Sequence, residues 1–191
     1  MKTAIILHGM PSKEEYYDAN RPASSNCHWL PWIQKKLLLK DVLAQAPEMP
    51  IPYEPQYEAW KKVFEQFTLN EETILIGHSC GGGFIVRWLS ENNIKVGQVI
   101  LVAPWLDTEK YLTTGMFDFT IDQNISAKTS ELIVMHSTDD EDYITDSVNF
   151  LKEKTKGISF QEFSNKGHFC LEDLGGEEFP DLLNNIKQVS N

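Results

Sequence analysis

The chain has 191 residues, of which 41% are apolar, and this is enough for one globular domain with a sizeable core. It carries 28 acidic against 17 basic side chains, a formal net charge of −11. Because nucleic acids and anionic membranes bind basic surfaces, this balance argues against either as the main partner. The three cysteines have no Cys-x-x-Cys spacing, so we expect reduced thiols and a cytoplasmic protein.

Apolar runs alternate along the chain with apolar residues at helical spacing. The runs predict strands at Thr3–Leu7, Asp41–Ala46, Ile74–Ile76, Val96–Ala103, Leu132–His136 and Ile158–Phe163. Helices are predicted near residues 30–38, 57–67, 84–91, 144–151 and 179–189. The first run is too short for a signal sequence or a membrane span. The alternation predicts an α/β fold, with about six mostly parallel strands and helices on both faces.

The pattern Gly77-His78-Ser79-Cys80-Gly81 stands between the third predicted strand and the helix that follows it. A strand, a sharp turn and a helix with serine at the apex is typical of the nucleophile elbow of α/β-hydrolases. The two glycines remove clashes that so tight a turn would cause. An ordinary glycine-rich turn is the alternative, and a phosphate-binding loop is disfavoured because no lysine follows the glycines. The sequence therefore predicts a single α/β-hydrolase domain over residues 1–191.

Candidates for a base and an acid follow Ser79 in the chain order that α/β-hydrolases use. A serine hydroxyl needs a base that takes its proton, and the base needs an acid that orients it. His168 comes directly after the last predicted strand and is the expected base. The turn after the fifth predicted strand holds Asp139, Asp140 and Asp142. Asp142 is expected to cap the next helix, and adjacent side chains in an extended segment point apart, so only one of the pair faces the histidine.

Two backbone N–H groups are the expected oxyanion-hole donors. They belong to Met10, just after the first strand, and to Cys80, just after the nucleophile. We expect no metal and no cofactor, because the Cys27-His28 pair has no second pair at ligand spacing. That pair is interpreted as helix entry and pocket wall. His8 is interpreted as a packed residue at the end of the first strand.

Two long segments interrupt the alternation of strands and helices. Lys13–Cys27 is polar and predicts a surface loop. Pro104–Asn124 holds aromatic and other apolar side chains among acidic and small residues. It is either a small cap over the active-site face or a plain connection whose aromatics belong to the core. The candidates for the pocket wall are His28, Trp29 and Trp105.

Five segments resemble the small serine hydrolases typified by retinoblastoma-binding protein 9 and bacterial YdeN. They are HGMPS, SSNCHWLPWIQKKL, LIGHSCGG, STDDEDYI and NKGHF, and together they span nearly the full length. The resemblance implies esterase-like or peptidase-like activity on small substrates. It also implies that the second aspartate of the pair, Asp140, is the acid. The chain departs from the family pattern directly afterwards, where Glu141-Asp142-Tyr143 stand in place of a proline-containing segment.

Two functions of different classes follow from these observations. The first is a metal-free serine hydrolase that cleaves a small ester, thioester or amide through an acyl-enzyme, with a small molecule as its partner. The second is a protein-binding module on a catalytically retired α/β-hydrolase scaffold. A binding module needs none of the three side chains Ser79, Asp140 and His168, so their joint presence favours the enzyme.

Overall fold

Runs of β-branched and other apolar residues form the strands of one parallel sheet. The computed structural model describes residues 2–187, and six strands are found among them. Their bounds are β1 Lys2–Leu7, β2 Val42–Gln45, β3 Ile74–His78, β4 Val96–Val102, β5 Thr129–Ser137 and β6 Ser159–Phe163. The order across the sheet is β2-β1-β3-β4-β5-β6, and every neighbouring pair is parallel. The predicted parallel sheet of about six strands is confirmed.

Helices connect these strands. In the part of the chain that the structure describes they are α1 Lys13–Tyr17, α2 Leu30–Leu38, α3 Tyr57–Phe64, α4 Cys80–Glu91, α5 Asp142–Lys154, α6 Leu171–Leu174 and α7 Pro180–Asn185, with 3₁₀ turns at Ser24–Asn26 and Ile125–Lys128. Crossovers between parallel strands are right-handed, so the reversal of strand order at β1 puts helices on both faces of the sheet. The same reversal opens a crevice at the carboxyl ends of β1 and β3, where ligands bind in such sheets.

The register of the sheet aligns the strand ends that matter for the site. Leu7 at the end of β1 lies opposite Gly77, and His78 at the end of β3 lies opposite Val102. Every residue of β3 and β4 is buried, whereas β6 is partly exposed, as expected for an edge strand. The turns after β1, β3, β5 and β6 therefore all leave the sheet on one side, at the carboxyl ends of the strands.

The segment Lys13–Cys27 was expected to be a surface loop, and it contains two short helical turns instead. Ser12 begins α1 with a capping box, in which its hydroxyl accepts the Glu15 N–H and the Glu15 carboxylate accepts the Ser12 N–H. Two of the free N–H groups at the start of the helix are thereby satisfied. The segment is largely exposed, as predicted, and it is helical in part because a cap of this kind stabilises even one turn.

Smaller differences concern the faces and ends of helices. Leu38 was expected on the buried face of α2, but its side chain is 48% exposed. Phe67 was assigned to α3, and it lies beyond the end of that helix, packed against the core. Helix α6 was not predicted at all. Val189, expected on the last helix, lies outside the described residues.

Residues 104–124 contain no helix or strand. Trp105, Leu106 and Met116 from this segment are buried in the core. The Arg87 guanidinium in α4 donates to the carbonyls of Gly115 and Met116, at 2.6 and 2.9 Å. The segment is therefore tied to α4, and its buried apolar residues fit the alternative of a connection with core aromatics.

Candidate active site

The turn after β3 holds Ser79 in a strained conformation, with φ 50° and ψ −119°. A Cβ on Gly77 would lie 2.6 Å from the Gly82 Cα, and one on Gly81 would lie 2.6 Å from the carbonyl oxygens of Leu7 and His8. Only glycine fits at both positions. Two hydrogen bonds fix the apex: the Ser79 N–H donates to the Val102 carbonyl, and its carbonyl accepts the Trp105 N–H. The predicted strand–turn–helix with serine at its apex is confirmed.

A carboxylate and an imidazole meet beside this turn. The Oδ1 and Oδ2 atoms of Asp140 lie 3.0 and 3.1 Å from Nδ1 of His168. The side chain of Asp140 is 1% exposed and that of His168 is 22% exposed. A carboxylate can only accept, so the imidazole carries its hydrogen on Nδ1 and its lone pair on Nε2. The second aspartate of the pair is thus the one that faces the histidine.

The other two aspartates of the turn have different surroundings. The carboxylate of Asp139 accepts the Ser137 hydroxyl and, more weakly, the N–H groups of Lys166 and Gly167, at 3.3 and 3.4 Å. These hydrogen bonds, with the Ser137 hydroxyl first, lower the pKa of Asp139. The prediction that Asp142 caps α5 was wrong: Glu141 is the N-cap residue, and no side-chain hydrogen bond caps the helix.

The loop that carries His168 is held from two further directions. Oδ2 of Asp173 accepts the N–H groups of His168 and Cys170, at 3.0 and 2.9 Å. On the opposite side, Nε1 of Trp29 donates to the Phe169 carbonyl at 3.1 Å. Sequence reasoning missed Asp173. Its only signal was its spacing three residues after the N-cap Cys170, in a helix too short to predict.

His78, the residue before the serine, supports the same loop. Its Nε2 atom lies 2.8 Å from the carbonyl oxygen of His168, so Nε2–H donates and Nδ1 holds the lone pair. The two rings are 4.9 Å apart. Burial lowers the pKa of His78 well below its ordinary value, and the neighbouring His168 and His28 lower it further. His78 is therefore a neutral group that holds the backbone of His168.

The candidate oxyanion donors are the backbone N–H groups of Met10, after β1, and of Cys80, directly after the serine. Within residues 2–187, neither the Met10 N–H nor the Cys80 N–H donates to another protein atom. Gly9 lies close to the serine: a Cβ on Gly9 would be 3.1 Å from the Ser79 Cβ. His8 is buried, and its Nε2 accepts the Met49 N–H at 2.9 Å, which agrees with the interpretation of a packed strand-end residue.

A cavity of about 810 Å³ opens at this edge of the sheet. Ser79 and His168 line it, and so do His28 and several residues of the segment Lys13–Cys27. Of the three expected wall residues, only His28 lines the cavity. Trp29 is fully buried and packs edge-on against His78. Trp105 lies behind the elbow, where its ring contacts those of Phe117 and Tyr143.

Neither a metal centre nor a membrane span is found in the described part of the chain. Residues 2–187 contain no group of three His, Cys, Asp or Glu side chains that could hold a metal ion. None of the helices over the same residues is long and apolar enough to cross a membrane.

A family model described as serine hydrolase matches residues 21–188. The chain belongs to the serine hydrolase family. YdeN of Bacillus subtilis strain 168 is 33% identical to it over an alignment 181 residues long, gaps included, which covers 88% of this chain and 92% of YdeN. The crystal structure of YdeN superimposes with a TM-score of 0.75 at 26% identity and covers 96% of each chain. The resemblance to the YdeN group is thereby confirmed.

Two less similar solved structures show the fold alone. A YdeN-like hydrolase from Pectobacterium atrosepticum has a TM-score of 0.65 at 15% identity, with 96% of this chain and 88% of that chain covered. Est1E from Butyrivibrio proteoclasticus, in a structure with ferulic acid bound, has a TM-score of 0.64 at 12% identity, with 96% and 89% covered. Both support the α/β-hydrolase fold.

Proposed function

We propose that this protein is a serine hydrolase that cleaves a small ester, thioester or amide through an acyl-enzyme. Ser79 is the nucleophile, His168 the base and Asp140 the acid that orients it. One observation carries the proposal: both oxygens of the buried Asp140 carboxylate lie within hydrogen-bond distance of His168 Nδ1, beside a serine on a strained elbow. A scaffold without catalytic function has no need of this arrangement.

The contacts support the following sequence of steps. Asp140 keeps the lone pair of His168 on Nε2. Nε2 then takes the proton from the Ser79 hydroxyl as Ser79 Oγ attacks the substrate carbonyl. The N–H groups of Met10 and Cys80 stabilise the negative oxygen that forms. His168 gives the proton to the leaving group, and the acyl group stays on Oγ. Water attacks the acyl-enzyme with the same proton transfers, which releases the acid and restores the serine.

Ser79 and His168 both line the cavity, yet no hydrogen bond joins the Ser79 hydroxyl to the His168 ring in the structure, as far as residues 2–187 show. Hydrogen bonds between a nucleophile and its base are often long in free enzymes and shorten when substrate binds. The bond between the base and its acid is already formed. We therefore assign the remaining adjustment to substrate binding.

The cavity supports a small substrate without negative charge. Its volume, about 810 Å³, is in the range of small-molecule sites. Its charged lining residues are Glu15, Asp18, Arg21, Glu48 and Glu172. The one cation of that set already pairs with Glu15. An anionic substrate would meet uncompensated carboxylates, so we propose neutral or cationic substrates.

A Ser79→Ala substitution tests the proposal against the binding-module alternative. We expect turnover of small esters to fall about 10⁴–10⁶-fold, because the nucleophile is lost. Labelling by a fluorophosphonate probe, which bonds to activated serines, should disappear as well. Ser130→Ala is the matched control, because Ser130 is exposed near the opposite end of β5.

The comparison requires folded protein, so circular dichroism of each variant accompanies the kinetics. If folded Ser79→Ala protein is turned over or labelled like the parent, Ser79 is not the nucleophile. If the parent is neither labelled nor active on any ester, thioester or amide offered, the binding-module alternative replaces the enzyme.

A further inference from the structure

The imidazole of His28 borders the cavity with one ring nitrogen already satisfied. Its Nδ1 atom lies 3.1 Å from the backbone nitrogen of Leu171. A backbone N–H can only donate, so Nδ1 must hold a lone pair, and a neutral imidazole then carries its hydrogen on Nε2. Burial lowers the pKa of His28 below its ordinary value, which favours this neutral form. His28 is therefore an uncharged N–H donor whose tautomer is fixed by the backbone.

The hydrogen on Nε2 has no protein acceptor within residues 2–187. Atoms there that are buried without a partner are Trp32 Nε1, Tyr57 Oη, Trp105 Nε1 and Thr114 Oγ1. His28 Nε2 does not belong to that set and makes no hydrogen bond, so the atom is at least partly accessible to solvent. Because His28 lines the same cavity as Ser79 and His168, the donor is available to a molecule bound there.

The position of this ring is fixed relative to the catalytic histidine. The His28 ring lies edge-on to that of His78 at 5.8 Å, and His78 in turn lies 4.9 Å from His168. The backbone of His28 is in the left-handed region, with φ 54°, a conformation that persists only where neighbours enforce it. Leu171, which anchors Nδ1, begins the same helix whose Asp173 holds the His168 N–H. One short helix thus positions both rings.

We propose that His28 Nε2–H donates to an oxygen of the substrate other than the scissile carbonyl, and that His28 is a specificity-determining residue. The inference rests on the proposed hydrolase function and names its substrate class. Esters, thioesters or amides that carry a hydroxyl, ether or keto oxygen near the reacting group are preferred over their hydrocarbon counterparts. A hydrocarbon in the same place would take the donor out of water without giving it an acceptor, which weakens binding.

Two substitutions distinguish the role of Nδ1 of His28, which accepts the Leu171 N–H, from that of Nε2, the proposed donor to the substrate. In His28→Asn, the side-chain oxygen takes the place of Nδ1 and still accepts the Leu171 N–H, but the amide nitrogen then stands at the position of Cδ2, so no donor remains at the position of Nε2. Asparagine also tolerates a left-handed backbone. In His28→Gln, the longer side chain puts an amide nitrogen near the position of Nε2 and restores a donor. Ser130→Ala again serves as the control outside the site.

Substrates that differ by one oxygen in place of a methylene report the contact. Phenyl methoxyacetate is compared with phenyl butanoate on the acyl side, and methoxyethyl acetate with butyl acetate on the alcohol side. The measured quantity is the ratio of kcat/KM for the oxygen ester to kcat/KM for its hydrocarbon partner. Intrinsic differences in reactivity cancel when this ratio is compared between variant and parent.

In at least one pair, we expect the ratio to fall about threefold to tenfold in His28→Asn, the worth of one neutral hydrogen bond. It should recover at least in part in His28→Gln and stay at the parental value in Ser130→Ala. If both esters of each pair fall together in His28→Asn, or if neither ratio moves, the proposal is wrong. A parent that is active and labelled at Ser79 shows that such a failure concerns His28 alone, whereas an inactive, unlabelled parent overturns the hydrolase function as well.

Discussion

An Asp140→Asn substitution keeps the size of the side chain and removes the charge that faces His168. In the parent protein the two carboxylate oxygens lie 3.0 and 3.1 Å from Nδ1, and both can only accept a hydrogen bond. An asparagine amide in the same place can donate to Nδ1, and the imidazole hydrogen then moves to Nε2. In that tautomer His168 has no lone pair for the Ser79 proton. We expect kcat to fall about 10⁴-fold, the cost of the wrong tautomer in a serine–histidine–aspartate triad, which corresponds to about 5 kcal/mol of barrier.

Asp139→Asn is the matched control, since it makes the same chemical change one residue earlier. Within residues 2–187, the Asp139 carboxylate accepts hydrogen bonds from the Ser137 hydroxyl and the backbone of residues 166–167. An asparagine oxygen can still accept one of these donors. The His168 loop shifts at most slightly, and misplacement of that kind costs up to about 10²-fold in kcat. Asp142 is the first residue of α5, and no side-chain hydrogen bond caps that helix, so Asp142→Asn breaks no such bond. The kcat of this variant should therefore stay close to that of the parent.

Steady-state kinetics on one activated ester, with circular dichroism of each variant, compares the three proteins. The reasoning requires Asp140→Asn to be slower than Asp139→Asn by about two orders of magnitude or more. If Asp139→Asn is the crippled enzyme and Asp140→Asn is not, the acid has been assigned to the wrong residue of the pair.

Two further predictions concern stability. The pKa of His78 is lower in the folded protein than its ordinary value of 6.5. The contribution of this histidine to the free energy of unfolding is therefore present above pH 6.5 and is lost as the pH falls below 6.5. Between pH 7.5 and 5.5 the parent should lose up to about 1.4 kcal/mol more stability than His78→Gln in urea unfolding, and equal losses would contradict this. A Cβ on Gly83 would overlap the Trp105 carbonyl oxygen, so Gly83→Ala should cost about 3 kcal/mol in the same assay. A cost near zero would show that α4 can move away from residues 104–124.

The elements that the sequence predicted well are those with a strong local pattern. Strands β3 and β4 are continuous apolar runs because they are buried on both faces, and the elbow needs glycine at two fixed positions for steric reasons. The order Ser79, aspartate, His168 follows from the order of the strands. Alternation in an extended segment limited the acid to one of two adjacent residues. The family resemblance, rather than the spacing, favoured Asp140.

The features that were missed depend on contacts between distant parts of the chain. Trp29 was expected in the pocket wall because it precedes a helix near the site, yet its indole is fully buried under the loop after His168. Trp105 was expected there because its segment follows a strand end, but that segment turns back onto α4. The role of Asp173 depends on a four-residue helix, and so short an element has no period to detect.

The loop that carries His168 has a thermodynamic consequence. Its backbone is bonded to Asp139 after β5, to Asp173 in α6, to His78 in the elbow and to Trp29 before α2. Detaching the loop alone would break all four hydrogen bonds at once, at about 1 kcal/mol each, so its opening costs several kcal/mol. The backbone amides of this loop should therefore be protected against hydrogen exchange through local opening. Mild heating or low denaturant should leave the candidate site assembled while the domain stays folded.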